Sequence, residues 1–229
     1  MAVYLKWFPN SWFQIKSNDK IIYVDPAYLE AMFKDYPKKT GTELPEDLEK
    51  ADIILVTHEH RDHCSQATVN ALKQENTLII APKTCAGELN EDTKIVKPGE
   101  EINQDNIKIK VVDAYNTENG HSTMKFHKKG ESVGYLITLE GKTIYHAGDT
   151  DFIPEMKEFR DVDVALVPIG GTYTMDMEEA VDAVIAINPK IVIPMHMKDA
   201  DPKEFKKIVE EKSDIKAVPL EIGGVYKLN

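Results

Sequence analysis

The chain has 229 residues, 42 % hydrophobic and 29 % charged, with a formal net charge of −11. That content can bury a full core, and the acidic balance argues against nucleic acid as a bulk partner, because phosphate binding draws on a basic surface. Two cysteines, Cys64 and Cys85, are too few for a disulfide framework, and no aliphatic run approaches the roughly 18–20 residues needed to cross a bilayer.

Alternating residues over Tyr4–Phe8 and Trp12–Lys16, then Lys20–Asp25, predict short antiparallel strands, with P-N-S and S-N-D as turns. The aromatics Trp7, Phe8, Trp12 and Phe13 could wall a pocket; core packing is the simpler reading. The opening segment has no apolar stretch of the kind a secretory signal needs, which with the cysteine count predicts a cytoplasmic protein. Around residues 45–50 a charged segment reads as a solvated helix. Residues 51–56 form an apolar strand, followed by a helix from about Ser65 to Gln74 with Cys64, Ala67, Ala71 and Leu72 on its inner side. Further strands are expected at T-L-I-I-A-P, over 106–115, and at S-V-G-Y-L-I-T-L and K-T-I-Y-H-A, the last two joined by the tight-turn pair Glu140-Gly141. The final third alternates: V-D-V-A-L-V-P-I, a helix over Met177–Ile187, K-I-V-I-P-M-H, a helix over Pro202–Lys212, and I-K-A-V-P-L. No linker or repeat interrupts the chain, so a single domain over 1–229 of α+β class is expected, with two sheets packed together and helices outside.

Four apolar runs finish in a residue able to bind metal: I-I-Y-V-D at Asp25, I-I-L-V-T-H at His58, T-I-Y-H-A-G-D at Asp149 and I-V-I-P-M-H at His196. Sites in open α/β sheets form beyond the carboxyl ends of strands, so the four could converge. Each has a plainer reading by itself, as a turn-capping Asp or a hydrogen-bonded core His. The segment H-E-H-R-D-H over 58–63 favours the joint reading. In extended chain, positions 58, 60 and 62 share a face, and a turn near His63 would swing its ring back. Imidazoles mixed with carboxylates suit zinc, manganese or iron better than calcium.

T-H-E-H-R-D-H resembles the H-x-H-x-D-H signature of the metallo-β-lactamase superfamily. The later Ile144–Thr150, Pro168–Met175 and Pro194–His196 segments are similar to its lactonase-like branch of metal-dependent hydrolases. The resemblance implies a four-layer αββα sandwich. It also implies two metal ions, zinc first, with manganese or iron as substitutes. His58, His60 and a mid-chain histidine would bind one, Asp62, His63 and His196 the other, and Asp149 would lie between. His127 is chosen over His121 for the mid-chain ligand because it precedes a Gly-containing strand at the family distance. His121 then reads as a loop residue near the mouth, and His146 as a packing or supporting residue. Asp25 is taken as support for the ligands. One departure stands out: Asn10 occupies the place of a family histidine.

The implied activity is hydrolysis of a small ester-like bond, lactone or phosphodiester, by a metal-bridging hydroxide. Zinc can lower the pKa of bound water from 15.7 to about 7, more than a general base alone achieves. Asp62 would orient the nucleophile. Tyr173, in G-G-T-Y-T-M, could reach a substrate oxygen, although the segment also reads as a tight turn before a helix, and Asn116 is a weaker candidate of the same kind. The expected partner is a small-molecule substrate, with no nucleic acid or membrane; a homo-oligomer is compatible with the sequence. The alternatives are a diiron redox protein on the same fold, disfavoured by His60 where such relatives carry a carboxylate, and a silent metal-binding or ligand-sensing module.

Overall fold

The computed structural model describes residues 2–17, 20–32, 44–45, 47–89 and 92–229. Contacts divide the chain into two compact units, residues 1–96 with 220–229, and residues 97–219.

The first unit is built on a mixed seven-stranded sheet. Its strands are β1 (Val3–Trp7), β2 (Phe13–Lys16), β3 (Ile21–Val24), β4 (Ile53–Leu55), β5 (Leu78–Pro82), β6 (Lys94–Val96) and the closing strand of the chain, β14 (Val225–Leu228). The order is β14-β1-β2-β3-β4-β5-β6, antiparallel as far as β3 and parallel from β3 to β6. The three expected N-terminal strands are present, and P-N-S forms the turn between the first two, with Asn10 at φ 65. Part of the S-N-D turn, Asn18 and Asp19, lies outside the described residues. The N-terminal aromatics are core: Phe8 stacks on Trp12 at 4.6 Å, and both join a buried cluster with Tyr23, Cys64 and Cys85.

Helix α1 (Gln66–Leu72) is capped by Ser65, whose hydroxyl accepts from the Thr68 amide at 3.3 Å. It buries Thr68, Val69 and Leu72, while Ala67 faces out. Of the expected inner side, Cys64 and Leu72 are buried and Ala71 is half-buried, but Ala67 is replaced by Thr68 and Val69; the Thr68 hydroxyl finds internal partners in Ser65 and the Tyr28 amide and can be buried like an apolar group. The charged stretch near 45–50 forms no helix among the described residues. Its carboxylates, Asp47 and Glu49, pair instead with Lys6 and Lys16 of the adjoining strands.

The second unit holds β7 (Glu101–Gln104), β8 (Ile107–Ala114), β9 (Ser132–Leu139), β10 (Lys142–His146), β11 (Val164–Pro168), β12 (Ile191–Met195) and β13 (Lys216–Ala217). Four strands run antiparallel, β7 through β10, and β10 to β13 run parallel. Glu140 and Gly141 both take positive φ, 52° and 71°, the backbone that a two-residue hairpin between right-twisted strands requires. Helices α2 (Met177–Ile187) and α3 (Pro202–Lys212) have the expected bounds, capped by Asp176 and Asp201. Among the described residues no helix is long and apolar enough to cross a membrane.

Candidate metal centre

In the first unit β3 and β4 are parallel, so their carboxyl ends lie on one edge, and Asp25 follows one while Thr57 and His58 follow the other. Asp25, at φ 49 and fully buried, collects three donors. Its carboxylate accepts from the Thr57 amide at 2.7 Å, the Thr57 hydroxyl at 2.8 Å and His63 Nδ1 at 2.7 Å. With its proton given to Asp25, the Thr57 oxygen accepts from His58 Nδ1 at 2.9 Å. Both rings are thereby fixed as Nδ1–H tautomers with the lone pair on Nε2, as metal-ligating histidines require. His58 Nε2 lies 3.1 Å from His60 Nδ1, and His63 Nε2 lies 3.8 Å from Asp62 Oδ2. The turn predicted near His63 is present, closed by bonds from the His63 and Cys64 amides to the His60 carbonyl, both 2.8 Å. Asn10 Nδ2 donates to Asp62 Oδ2 at 3.0 Å, so the residue that departs from the family pattern steadies the carboxylate. Cys64 and Cys85 are buried and form no disulfide, and both pack in the core cluster with Phe8 and Trp12; hydrogen bonding to Cys64 and burial push the Cys85 thiol up.

In the second unit β10, β11 and β12 are parallel, and Asp149 and His196 follow the carboxyl ends of β10 and β12. Asp149 Oδ2 lies 3.8 Å from His127 Nε2 and 3.5 Å from His196 Nε2, and all three residues are buried. His127 Nδ1 donates to Asn116 Oδ1 at 3.1 Å, an oxygen that also accepts the Phe126 and His127 amides. The Asn116 amide nitrogen faces Ser122 Oγ, Asp151 Oδ1 and the Tyr173 carbonyl. Asn116 therefore orients His127 from behind, and the substrate contact expected of it has no free group to make it.

The donor chemistry fits a metal. Two ligands bound at about 2.0–2.1 Å to one tetrahedral ion stand roughly 3.3 Å apart, close to the separations within each set. A buried carboxylate beside two imidazoles is also an arrangement that burial tolerates only when the charge is paired or metal-bound.

Residues 4–196 match a family profile described as "Beta-lactamase superfamily domain". The chain belongs to the metallo-β-lactamase superfamily. It is 38 % identical over 181 residues to a UPF0173 metal-dependent hydrolase of Pyrococcus furiosus, covering 75 % of this chain and 80 % of that protein. The crystal structure of a Parabacteroides distasonis protein matches with a TM-score of 0.81 at 31 % identity, over 95 % of this chain and 92 % of that one. Igni18, a metallo hydrolase of Ignicoccus hospitalis, matches with a TM-score of 0.75 at 27 % identity, over 100 % and 99 %. The α+β fold class implied by the H-x-H-x-D-H resemblance is the one observed.

In this superfamily member Tyr173 is half-buried, and among the described residues its hydroxyl makes no hydrogen bond. The two glycines before it serve the protein's own backbone. A Cβ on Gly170 would lie 2.4 Å from the His196 carbonyl, and Gly171 takes φ 72°. His121 is exposed and pairs with Asp176 at 3.0 Å, which raises its pKa, with neighbouring carboxylates adding to the effect. His146 is buried and accepts from the Gly148 amide at 3.2 Å.

Sequence reasoning overlooked Asp151. Fully buried, it accepts from Asn116, the Thr117 amide and Lys125 at 2.8–3.1 Å and so holds the loop that carries His127. Its position two residues after Asp149 in G-D-T-D was the available signal.

Proposed function

We propose that the chain is a dinuclear, zinc-preferring hydrolase that cleaves a small ester-like bond of the lactone or phosphodiester class. His58, His60 and His127 would hold one ion, Asp62, His63 and His196 the other, with Asp149 serving both. The observation that carries the reading is the tautomer control: His58, His63 and His127 each have Nδ1 tied to a hydroxyl, a carboxylate or an amide oxygen, leaving Nε2 as the donor. A metal held by these donors would supply Lewis-acid chemistry, making water nucleophilic at neutral pH and stabilising the negative charge that develops on an ester.

The chain's own groups supply the rest. Asp62 is half-exposed, with one oxygen steadied by Asn10, and serves as the acceptor that orients the attacking water. The Tyr173 hydroxyl contacts a substrate oxygen. Asn116 and Asp25 act only through the ligands they hold.

Metal analysis of protein made without chelators, followed by lactone, phosphodiester and thioester assays, tests the reading. Two zinc ions per chain and turnover on one ester class are expected. His60→Ala and His196→Ala should each lower metal content, and Tyr173→Phe should lower kcat at unchanged metal content. Iron with a visible absorption band and no hydrolysis would overturn the proposal, and so would full metal content in both histidine variants.

A further inference from the structure

Lys198 stands two residues beyond His196 with its ammonium 4.4 Å from the ring centroid of Tyr173. Among the described residues no carboxylate pairs with it, although the chain is strongly acidic. Its backbone is left-handed, φ 47°, and Gly170 leaves room for its stem: a Cβ there would meet Lys198 Cγ at 3.4 Å. A cation over an aromatic face is attracted to the ring yet keeps its N–H donors for another group.

The Tyr173 ring also has an apolar neighbour. Phe126 meets it edge-on at 5.4 Å and is 53 % exposed, and Met124 is 44 % exposed. The segment is held in place: the Thr123 and Met124 amides donate to the Gly171 and Thr172 carbonyls at 3.2 and 2.7 Å, and the Tyr173 carbonyl accepts from Asn116. Phe126 directly precedes His127. A cation and an exposed aromatic ring thus both adjoin a tyrosine whose backbone is tied, through Asn116, to a metal-ligand candidate.

We propose that Lys198, steadied over Tyr173, is a specificity-determining residue that selects ester-like substrates bearing a carboxylate, with their apolar body against Phe126. A single ammonium matches one carboxylate, and the net charge of −11 disfavours more highly charged anions. This rests on the hydrolase reading for the word substrate, but the recognition itself can be read without turnover.

In the zinc-loaded protein, kcat/KM is compared for 4-nitrophenyl hemiglutarate and 4-nitrophenyl butyrate in wild type, Lys198→Gln and Lys198→Arg. The acid-to-neutral ratio should fall about fivefold in Lys198→Gln, the upper range for an exposed ion pair, and recover in Lys198→Arg. In parallel, binding of 4-phenylbutyrate and 4-phenylbutyramide is followed by NMR shifts, with the acid preferred in wild type and the preference lost in Lys198→Gln. A wild type blind to charge, or a preference that survives Lys198→Gln, overturns the inference. Hydrolysis without charge preference would sink the inference and leave the hydrolase reading standing. A Lys198-dependent binding preference with no ester cleaved would do the reverse.

Discussion

Replacing Gly170 with alanine tests whether His196 is placed by its backbone. The added Cβ would sit 2.4 Å from the His196 carbonyl oxygen, against 3.4 Å for ordinary contact, so main chain must retreat by about 1 Å. The clash is with backbone, so no side-chain rotation relieves it. His196 already holds a left-handed φ of 46°, a conformation a non-glycine residue adopts only when its surroundings impose it. Overpacking of this kind typically costs about 1–3 kcal/mol, and a displacement of about 1 Å at a catalytic group can cost on the order of 10²-fold in rate. Gly170→Ala should therefore lower the urea midpoint, reduce bound metal and depress turnover together. Gly87→Ala is the control, because a Cβ at Gly87 meets nothing within 4 Å. Full metal content and wild-type turnover in Gly170→Ala would refute the reasoning, since His196 would then be indifferent to the position of its own carbonyl.

Asp25→Asn keeps a residue tolerant of positive φ but removes the charge facing His63; chelator competition should show metal affinity down about 10–100-fold, and urea unfolding a loss of about 1–3 kcal/mol. Asn116→Ala frees the His127 ring, and the same competition assay should show a comparable loss of affinity with the far-ultraviolet circular dichroism retained. His121 has its folded pKa raised by Asp176, so its contribution to stability is complete below the unfolded value of 6.5 and disappears as pH rises through the higher folded value. His121→Gln should thus cost more near pH 5.5 than near pH 8.5, by less than about 1 kcal/mol because the pair is exposed, and a variant equally destabilised at both pH values would exclude the pairing.

The parts of the fold legible in sequence were those whose pattern is local. The Glu140-Gly141 hairpin, the two helices announced by Asp176 and Asp201, and the apolar runs ending in Asp25, His58, Asp149 and His196 each carry their signal within a few residues. Strands β6, β7 and β14 did not, because each buries only one residue and owes its conformation to a partner strand. For β14 that partner is β1, at the opposite end of the chain. The charges near 45–50 misled for the same reason: their partners, Lys6 and Lys16, lie 41 and 33 positions away in the sequence. The ligand candidates could be read from their spacing, but the residues that aim them could not. Asn116 reaches Tyr173 across 57 positions, Asp25 reaches His63 across 38, and the need for glycine at 170 arises from a carbonyl at 196.

What the sequence motif leaves undetermined is which nitrogen of an imidazole is available, and for His58, His63 and His127 the structure resolves this by hydrogen bonding. A histidine at a strand end can present either nitrogen; a neutral ring with Nδ1–H held by an acceptor can present only Nε2. The three acceptors differ in kind. His63 is backed by a buried carboxylate, His58 by a hydroxyl that itself leans on the same carboxylate, and His127 by an amide oxygen already shared with two backbone N–H groups. A carboxylate raises the basicity of the ring it holds more than an amide does. One Asp25 side chain therefore sets both tautomer and donor strength for two of the histidines in the H-E-H-R-D-H segment, which is why a residue that binds no metal in this reading is as exacting a requirement as those that do.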